Sequence, residues 1–417
     1  MTDPALTRSI RKKANPLRRT RRPLLPPEAR SRSAHLLTAA AARGRFDLPC
    51  CIGCGRVIWP MPEACPDCLS EVATAPAPRG ARVISITTAE VPADSYFRER
   101  APWRVGLVSM DCGPQAIVHM HPDAKAGDPV QLTLMLDRAG QAVLHAAPKG
   151  AAMQADPQYH EMTADPAARR VLITDARHLA ALPLARALMD AGAHSVHLGV
   201  PEAWKPLPAR AAFEAIAGVH LVELDVSSDR SVTDLAADLG GKVEILINTA
   251  DLPRPGGLLG PTAQVQAREM SDVIAQGLMR LARAFGPAMA GRGADGPLGA
   301  VAWVNLLSVF GRATPPGWAG YGAAHASALA LSQVLRAELG TGGVRLVTLL
   351  TGPTEDDWFQ TMGPPRVTGT ALAKAVVKAL REGLEEVVVG DVALDLMARL
   401  EENPKAVERE LARGNLS

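Results

Sequence analysis

Four of the six cysteines form two Cys-x-x-Cys pairs, Cys51-Ile52-Gly53-Cys54 and Cys65-Pro66-Asp67-Cys68. Each pair brackets a tight turn, with Gly53 and Gly55 giving freedom in one and Pro66 stiffness in the other. Four thiolates at this spacing can close a tetrahedral zinc shell, which leaves no open position for catalysis. A Zn2+ held by Cys51, Cys54, Cys65 and Cys68 would therefore be structural, replacing a core that so small a segment cannot build. Cys50 could compete with Cys51, but its distance from Cys54 makes it the poorer ligand. Cys112 reads as a small buried side chain. So few cysteines, paired in this way, point to metal rather than disulfides and to a reducing compartment.

The charge balance is uneven. The net charge is only +2, yet residues 1–32 hold Arg8, Arg11, Lys12, Lys13, Arg18, Arg19, Arg21, Arg22, Arg30 and Arg32 against Asp3 and Glu28. The remainder is acidic. Such a leader can be a solvated, disordered tail, or it can meet phosphates, RNA or an acidic partner surface. No apolar run follows it, so no secretory signal is expected, and no stretch of about 18 apolar residues predicts a membrane span. A cytoplasmic protein is the expectation. With 417 residues, 47% hydrophobic and 21% charged, the chain has the make-up of two or three ordinary soluble domains.

The elements that must position the cysteines begin with an Ala-rich helix from Ser33 to Arg45. After the cysteines come five short apolar runs, ARVISITT, RVGLVSM, QAIVHM, PVQLTLM and QAVLHA, separated by Gly/Pro/Asp turns. They predict a small β barrel. Residues 149–169 lack periodicity and read as a linker. From Val171 the rhythm becomes strand–helix–strand: VLIT, SVHLGV, VHLVEL, VEILIN, AVAWVNLL, VRLVTLL and EEVVVG. Continuous apolar strands alternating with helices predict a parallel sheet covered on both faces. The expected fold is thus multidomain: a leader (1–33), helix and zinc ribbon (34–75), barrel (76–148), linker (149–169), a doubly wound α/β domain (170–400) and a tail (401–417).

The stretch CIGCGRVIWPMPEACPDCLS, followed by GARVISITTAEVP, PWRVGLVSMDCG and AGDPVQLTL, resembles the zinc-ribbon/OB-fold family associated with thiolases and other acyl-CoA enzymes. The resemblance covers about residues 34–148. It implies an OB-fold barrel that docks a thiolase-like subunit, helps shape an acyl-CoA tunnel and does little chemistry itself. Nucleic-acid binding, the rival use of such modules, is not expected. The barrel's only aromatics, Tyr96, Phe97 and Trp103, are clustered rather than interleaved with bases.

The second half resembles the short-chain dehydrogenase/reductase family, a Rossmann fold. The matching segments are VLITDARHLAALPLARALMDAGA, ELDVSS, ILINTAD, VNLLSVFGR, YGAAHASALALSQVLRAEL and VRLVTLLTGPTED. Set against that family, the chemistry is eroded. The three phosphate-loop glycines are absent from Thr174-Asp175-Ala176-Arg177-His178-Leu179-Ala180-Ala181, and Leu179 projects where a pyrophosphate needs space. Asp175 is placed to accept from the helix N–H groups, putting its own charge in the anion's place. The Asn-Asn-Ala-Gly motif stands as Asn248-Thr249-Ala250-Asp251. Asp225 keeps the position that touches adenine, and Glu202 alone could meet a ribose hydroxyl. Asn248 and Asp225 are therefore the remaining cofactor-binding candidates, and NAD is not expected to bind well.

The catalytic set is half present. Ser308 and Tyr321 keep the family's spacing, but the lysine four residues on is His325, and the relay asparagine falls at Gly277 beside Gln276. A fixed cation about 4 Å away, at an effective dielectric near 20, is worth roughly 4 kcal/mol to a phenolate. A histidine, mostly neutral near pH 7, supplies little of this. The resemblance thus implies a vestigial Ser308, Tyr321, His325 set. It also implies assembly through two long helices, about 262–290 and 317–339, the second rich in small residues. Together the halves suggest a non-catalytic subunit that brings a thiolase-like enzyme and a catalytic dehydrogenase together. The alternative is an active NAD-dependent dehydrogenase acting on a 3-hydroxyacyl-CoA or similar alcohol through Ser308 and Tyr321.

Overall fold

The structure is a computed structural model that describes residues 23–27, 33–293 and 299–414. Most of the basic leader lies outside the described residues. The chain divides into two compact units, Leu24–Asp165 with Leu380–Glu385, and Pro166–Ala379 with Glu386–Ser417.

The first unit opens with helix α1 (His35–Ala42), and an antiparallel pair, β1 (Asp47–Cys51) and β2 (Val72–Pro76), frames the cysteine segment. Strands β3 (Gly80–Ala89), β4 (Trp103–Met110), β5 (Gln115–Met120), β6 (Pro129–Leu136) and β7 (Ala142–Ala147) close a barrel in the order β3-β4-β5-β7-β6. These are the five expected runs. The β3–β6 pairing shuts the barrel, and β5 and β7 form its one parallel contact. Alternation along β5 and β6 sends Val118, Met120, Val130, Leu132 and Leu134 inward, where Leu37 and Ala40–Ala42 of α1 join the same core.

Helix α2 (Ser95–Arg98) precedes β4, and helix α3 (Pro157–Glu161) follows a 3-10 turn at Met153–Ala155. The stretch expected to be a linker is therefore partly helical and buried. Asp156 caps α3 by accepting from the Gln158 amide at 2.9 Å, and its other oxygen meets His145 Nε2 at 2.8 Å. Both residues are almost fully buried. One ion pair, invisible to periodicity, packs this segment onto β7.

The second unit is a seven-stranded parallel sheet in the order β10-β9-β8-β11-β12-β13-β14. Its strands are β8 (Arg170–Ile173), β9 (Ser195–Val200), β10 (Val219–Glu223), β11 (Ile245–Asn248), β12 (Ala302–Ser308), β13 (Arg345–Thr351) and β14 (Glu386–Val389). The helices between them are α4 (Ala181–Asp190), α5 (Arg210–Glu214), α6 (Asp229–Leu239), α7 (Ala263–Ser271), α8 (Gly277–Arg292), α9 (Ala319–Gly340) and α10 (Gly369–Glu382). A π-helical turn, Asp272–Gln276, joins α7 to α8, where one continuous helix was expected. Past the sheet, α11 (Asp391–Glu402) leads to α12 (Pro404–Ala412). The expected tail is thus largely helix: Asn403 caps α12, and Val407 and Leu411 bury in the core that holds Trp303, Phe285 and Leu281. The strand order reverses between β8 and β11, which opens a cleft at their carboxyl ends.

Candidate functional site

The four cysteine sulfurs converge. Strand β1 ends on Cys51, and bridges Cys50↔Val57 and Ala64↔Glu71 close the two turns. In each turn the residue after the second cysteine is left-handed, Gly55 at φ 72° and Leu69 at φ 58°. Its amide donates to the first cysteine's carbonyl, Gly55 to Cys51 at 3.0 Å and Leu69 to Cys65 at 2.9 Å. Cys51 and Cys68 Sγ lie 3.4 Å apart, Cys54 and Cys65 Sγ 3.8 Å apart, and all four fall within 4.8 Å of one another. A tetrahedral shell with metal–sulfur bonds near 2.3 Å has sulfur–sulfur edges of about 3.8 Å. The cluster can hold a metal ion. Cys50 turns its thiol to the Gly55 carbonyl at 3.4 Å and stands outside the set, and Cys112 is only half-buried.

The barrel's aromatics offer no stacking platform. Tyr96 and Trp103 are buried, and Tyr96, Phe97 and Trp103 pack edge to face on one another.

In the second unit, a cleft of about 550 Å³ opens where β8 and β11 end. In its loop, Thr174 to Ala180, several amides are already engaged. Asp175 Oδ1 accepts from the Arg177 amide at 2.7 Å, and His178 Nδ1 accepts from the Ala180 amide at 3.1 Å. The Ala176 amide donates to the Gly199 carbonyl at 2.7 Å. Arg177 points its guanidinium at the carbonyls of Lys205 and Pro206, at 3.1 and 2.9 Å. Burial, reinforced by Asp251 and Asp225, pushes the Asp175 carboxyl up to about 6. Asp225, Asp356 and Glu202 line the same cleft beside Leu179. Glu202 is held by Lys205 at 2.6 Å, and Asp225 accepts from the Ser227 amide and hydroxyl at 2.9 and 2.6 Å. Asn248 is buried, its Oδ1 accepting from the Thr174 hydroxyl at 3.0 Å, so it braces the loop rather than lining the cleft.

A dinucleotide needs free amides and a positive field for its pyrophosphate. Here the Asp175, Ala176, Arg177 and Ala180 amides are engaged within the protein, and Asp175, Glu202, Asp225, Asp251 and Asp356 outnumber Arg177, Lys205 and Arg254 along the cleft. The residues present do not fit the cofactor.

Ser308 ends β12, and Tyr321 and His325 sit one turn apart on α9, so the sheet edge and the helix do bring the three together. Gly311 permits this closeness, since a Cβ there would stand 2.8 Å from the His325 backbone. Yet none of the three lines the cleft, and their exposures are only 3%, 2% and 1%. Asp251, at the end of β11, stands between. The Tyr321 hydroxyl donates to Asp251 Oδ2 at 2.9 Å, and His325 Nε2 lies 3.3 Å from Oδ1. Burial and the Asp251 charge hold the Tyr321 phenol well above its ordinary value. Burial would raise the Asp251 carboxyl, but bonding to His325 and Tyr321 carries it below the usual range. The relay position is closed as well: a Cβ on Gly277 would stand 3.0 Å from Val226, and Gln276 is exposed. Sequence reading counted Asp251 only as a lost glycine. The signal that could have found it is the simultaneous gain of a carboxylate here and a histidine at 325.

Comparison with known proteins agrees with this fold. The short chain dehydrogenase family model matches residues 169–365. This region is similar to the short-chain dehydrogenase family. A short-chain dehydrogenase of Penicillium ochrochloron is 32% identical over 178 residues, 40% of this chain and 60% of that protein. One from Talaromyces islandicus is 30% identical over 142 residues, 33% of this chain and 47% of that protein. The chain thus spans about half of the curated relatives it matches. Among solved structures, a short chain dehydrogenase from Burkholderia cenocepacia, in complex with NADP, aligns with TM-score 0.52 and 28% identity, covering 59% of this chain and 98% of that one. The second unit shares the sheet-and-helix fold of that structure. No described helix is long and apolar enough to cross a membrane.

Proposed function

We propose that the chain is a non-catalytic scaffolding subunit of an acyl-CoA-processing assembly, with no hydride transfer of its own. The carrying observation is that Tyr321 is sealed behind Asp251 and donates its hydroxyl hydrogen bond to that carboxylate. In this reading the cysteine cluster is a zinc ribbon with a structural Zn2+, closed by four sulfurs. The barrel is an OB fold, a reading supported by its five-strand order and single parallel contact. It docks a thiolase-like subunit near bound acyl-CoA. The dehydrogenase domain pairs with a catalytic short-chain dehydrogenase through α8 and α9. Those helices leave a groove of about 520 Å³ floored by Ala282, Gly286 and Leu335, with Met279 and Val334 exposed.

The retained Ser308–Tyr321 pair and the dehydrogenase relatives favour one other reading, an active dehydrogenase. Co-expression with candidate subunits and stoichiometric co-purification separates the two. Recovery of a thiolase-like and a dehydrogenase subunit supports the scaffold. A lone homo-oligomer that oxidises an alcohol with NAD refutes it.

A further inference from the structure

Among the polar groups around the cleft, Asp251 has the most unusual neighbours. We propose that Asp251 is a lock: its carboxylate ties the Tyr321 hydroxyl and the His325 ring into one buried unit that joins the end of β11 to α9 and closes the reaction position to ligands. This rests on the reading that the cleft does no hydride transfer, and it names the residue responsible.

The proton positions follow from the hydrogen bonds. The Ser308 amide donates to His325 Nδ1 at 3.2 Å, so Nδ1 carries the lone pair and Nε2 the proton. That proton faces Asp251 Oδ1, while the phenol proton faces Oδ2. Oδ2 thus receives the phenol, and Oδ1 receives His325 together with the Leu252 amide at 2.8 Å. Ser308 Oγ accepts from the Phe310 amide at 3.2 Å, an internal cap. The charged and titratable groups around the phenol are Asp251, His325, Ser308 and Asp356, and His178 and Asp175 stand nearer Asp251. Phe310, Trp318 and Phe359 pack about the ring. A glycine at position 251 would leave both donors facing the cleft. A cation at 325 would favour the phenolate; an anion at 251 favours the phenol.

Alkaline titration of phenolate absorbance near 295 nm tests the lock without nucleotide or partner. The chain has three tyrosines, Tyr96, Tyr159 and Tyr321. Burial raises all three, Tyr159 to about 12. No phenol of the native protein should ionise near pH 10. In Asp251→Gly one phenol should titrate at least one to two pH units earlier, and the early step should vanish in Asp251→Gly/Tyr321→Phe. If the glycine variant does not fold, Asp251→Asn serves. Its carbonyl can still accept from Tyr321, but its amide nitrogen then faces the His325 N–H, a donor against a donor, and the charge is gone. A smaller shift in the same direction is expected. Identical titrations of the native and both variant proteins, or a native phenol ionising near 10, would overturn the lock. An overturned lock removes the support that Tyr321 gives the scaffold reading but leaves its co-purification test open, and a failed co-purification leaves the lock standing.

Discussion

The two units arrange their polar side chains in opposite ways. Around the cysteines the backbone serves convergence: Gly55 and Leu69 adopt left-handed conformations in the turns that bring the four sulfurs together. In the second unit the arrangement runs the other way. Asp175 and His178 take the amides a phosphate would need, and Asp251 takes the hydroxyl a substrate would need. In the first unit the turns bring side chains together; in the second, side chains of the loops occupy the groups that line the cleft.

Breaking the comparison should have its largest effect on the cysteine side. Cys54→Ser is expected to abolish bound metal, read by atomic emission, and to unprotect residues 47–76 in hydrogen exchange. Structural zinc sites contribute on the order of 10 kcal/mol to small domains. Cys50→Ser, one residue from the cluster, should keep both metal and protection.

Next comes the buried pair that fastens α3. Asp156→Ala leaves His145 unpaired and the helix uncapped, a loss of roughly 3–5 kcal/mol in denaturant unfolding. Burial would raise the Asp156 carboxyl, but its bond to His145 and the Gln158 amide carry it below the ordinary value. Its stabilisation is therefore complete above about pH 4 and lost as pH falls through the depressed value. An Asp156→Asn variant should show a flatter acid limb.

The cleft side should respond with the opposite sign. The folded Asp175 carboxyl is raised to about 6, so stability declines as pH rises from about 4 through that value. Asp175→Asn keeps the oxygen that accepts from Arg177 and removes the charge. A gain on the order of 1 kcal/mol at pH 7 is expected, with none below about pH 4. A loss at pH 7 would mean the carboxylate is needed there.

Much of this was legible in the sequence, for identifiable reasons. The barrel and sheet strands carry long alternating or continuous apolar runs, and the cysteine spacing fixes its own geometry. Strands β1 and β2 were not legible. They are short, interrupted by Pro49 and Pro76, and paired only because the cysteine turns between them close. Residues 149–169 hid a helix because Asp156, not periodic leucines, anchors it. The tail helix α12 did leave a signal, the Asn403-Pro404 start with Val407 and Leu411 four apart. Asp251 and His325 stand 74 positions apart, and nothing local to either shows that they meet.

The central claim is that the cleft no longer accepts a dinucleotide. Titration of the metal-loaded, full-length protein with NADH and NADPH by calorimetry tests it most directly. No binding heat up to millimolar nucleotide is the predicted result. A saturable isotherm with a micromolar dissociation constant would contradict it.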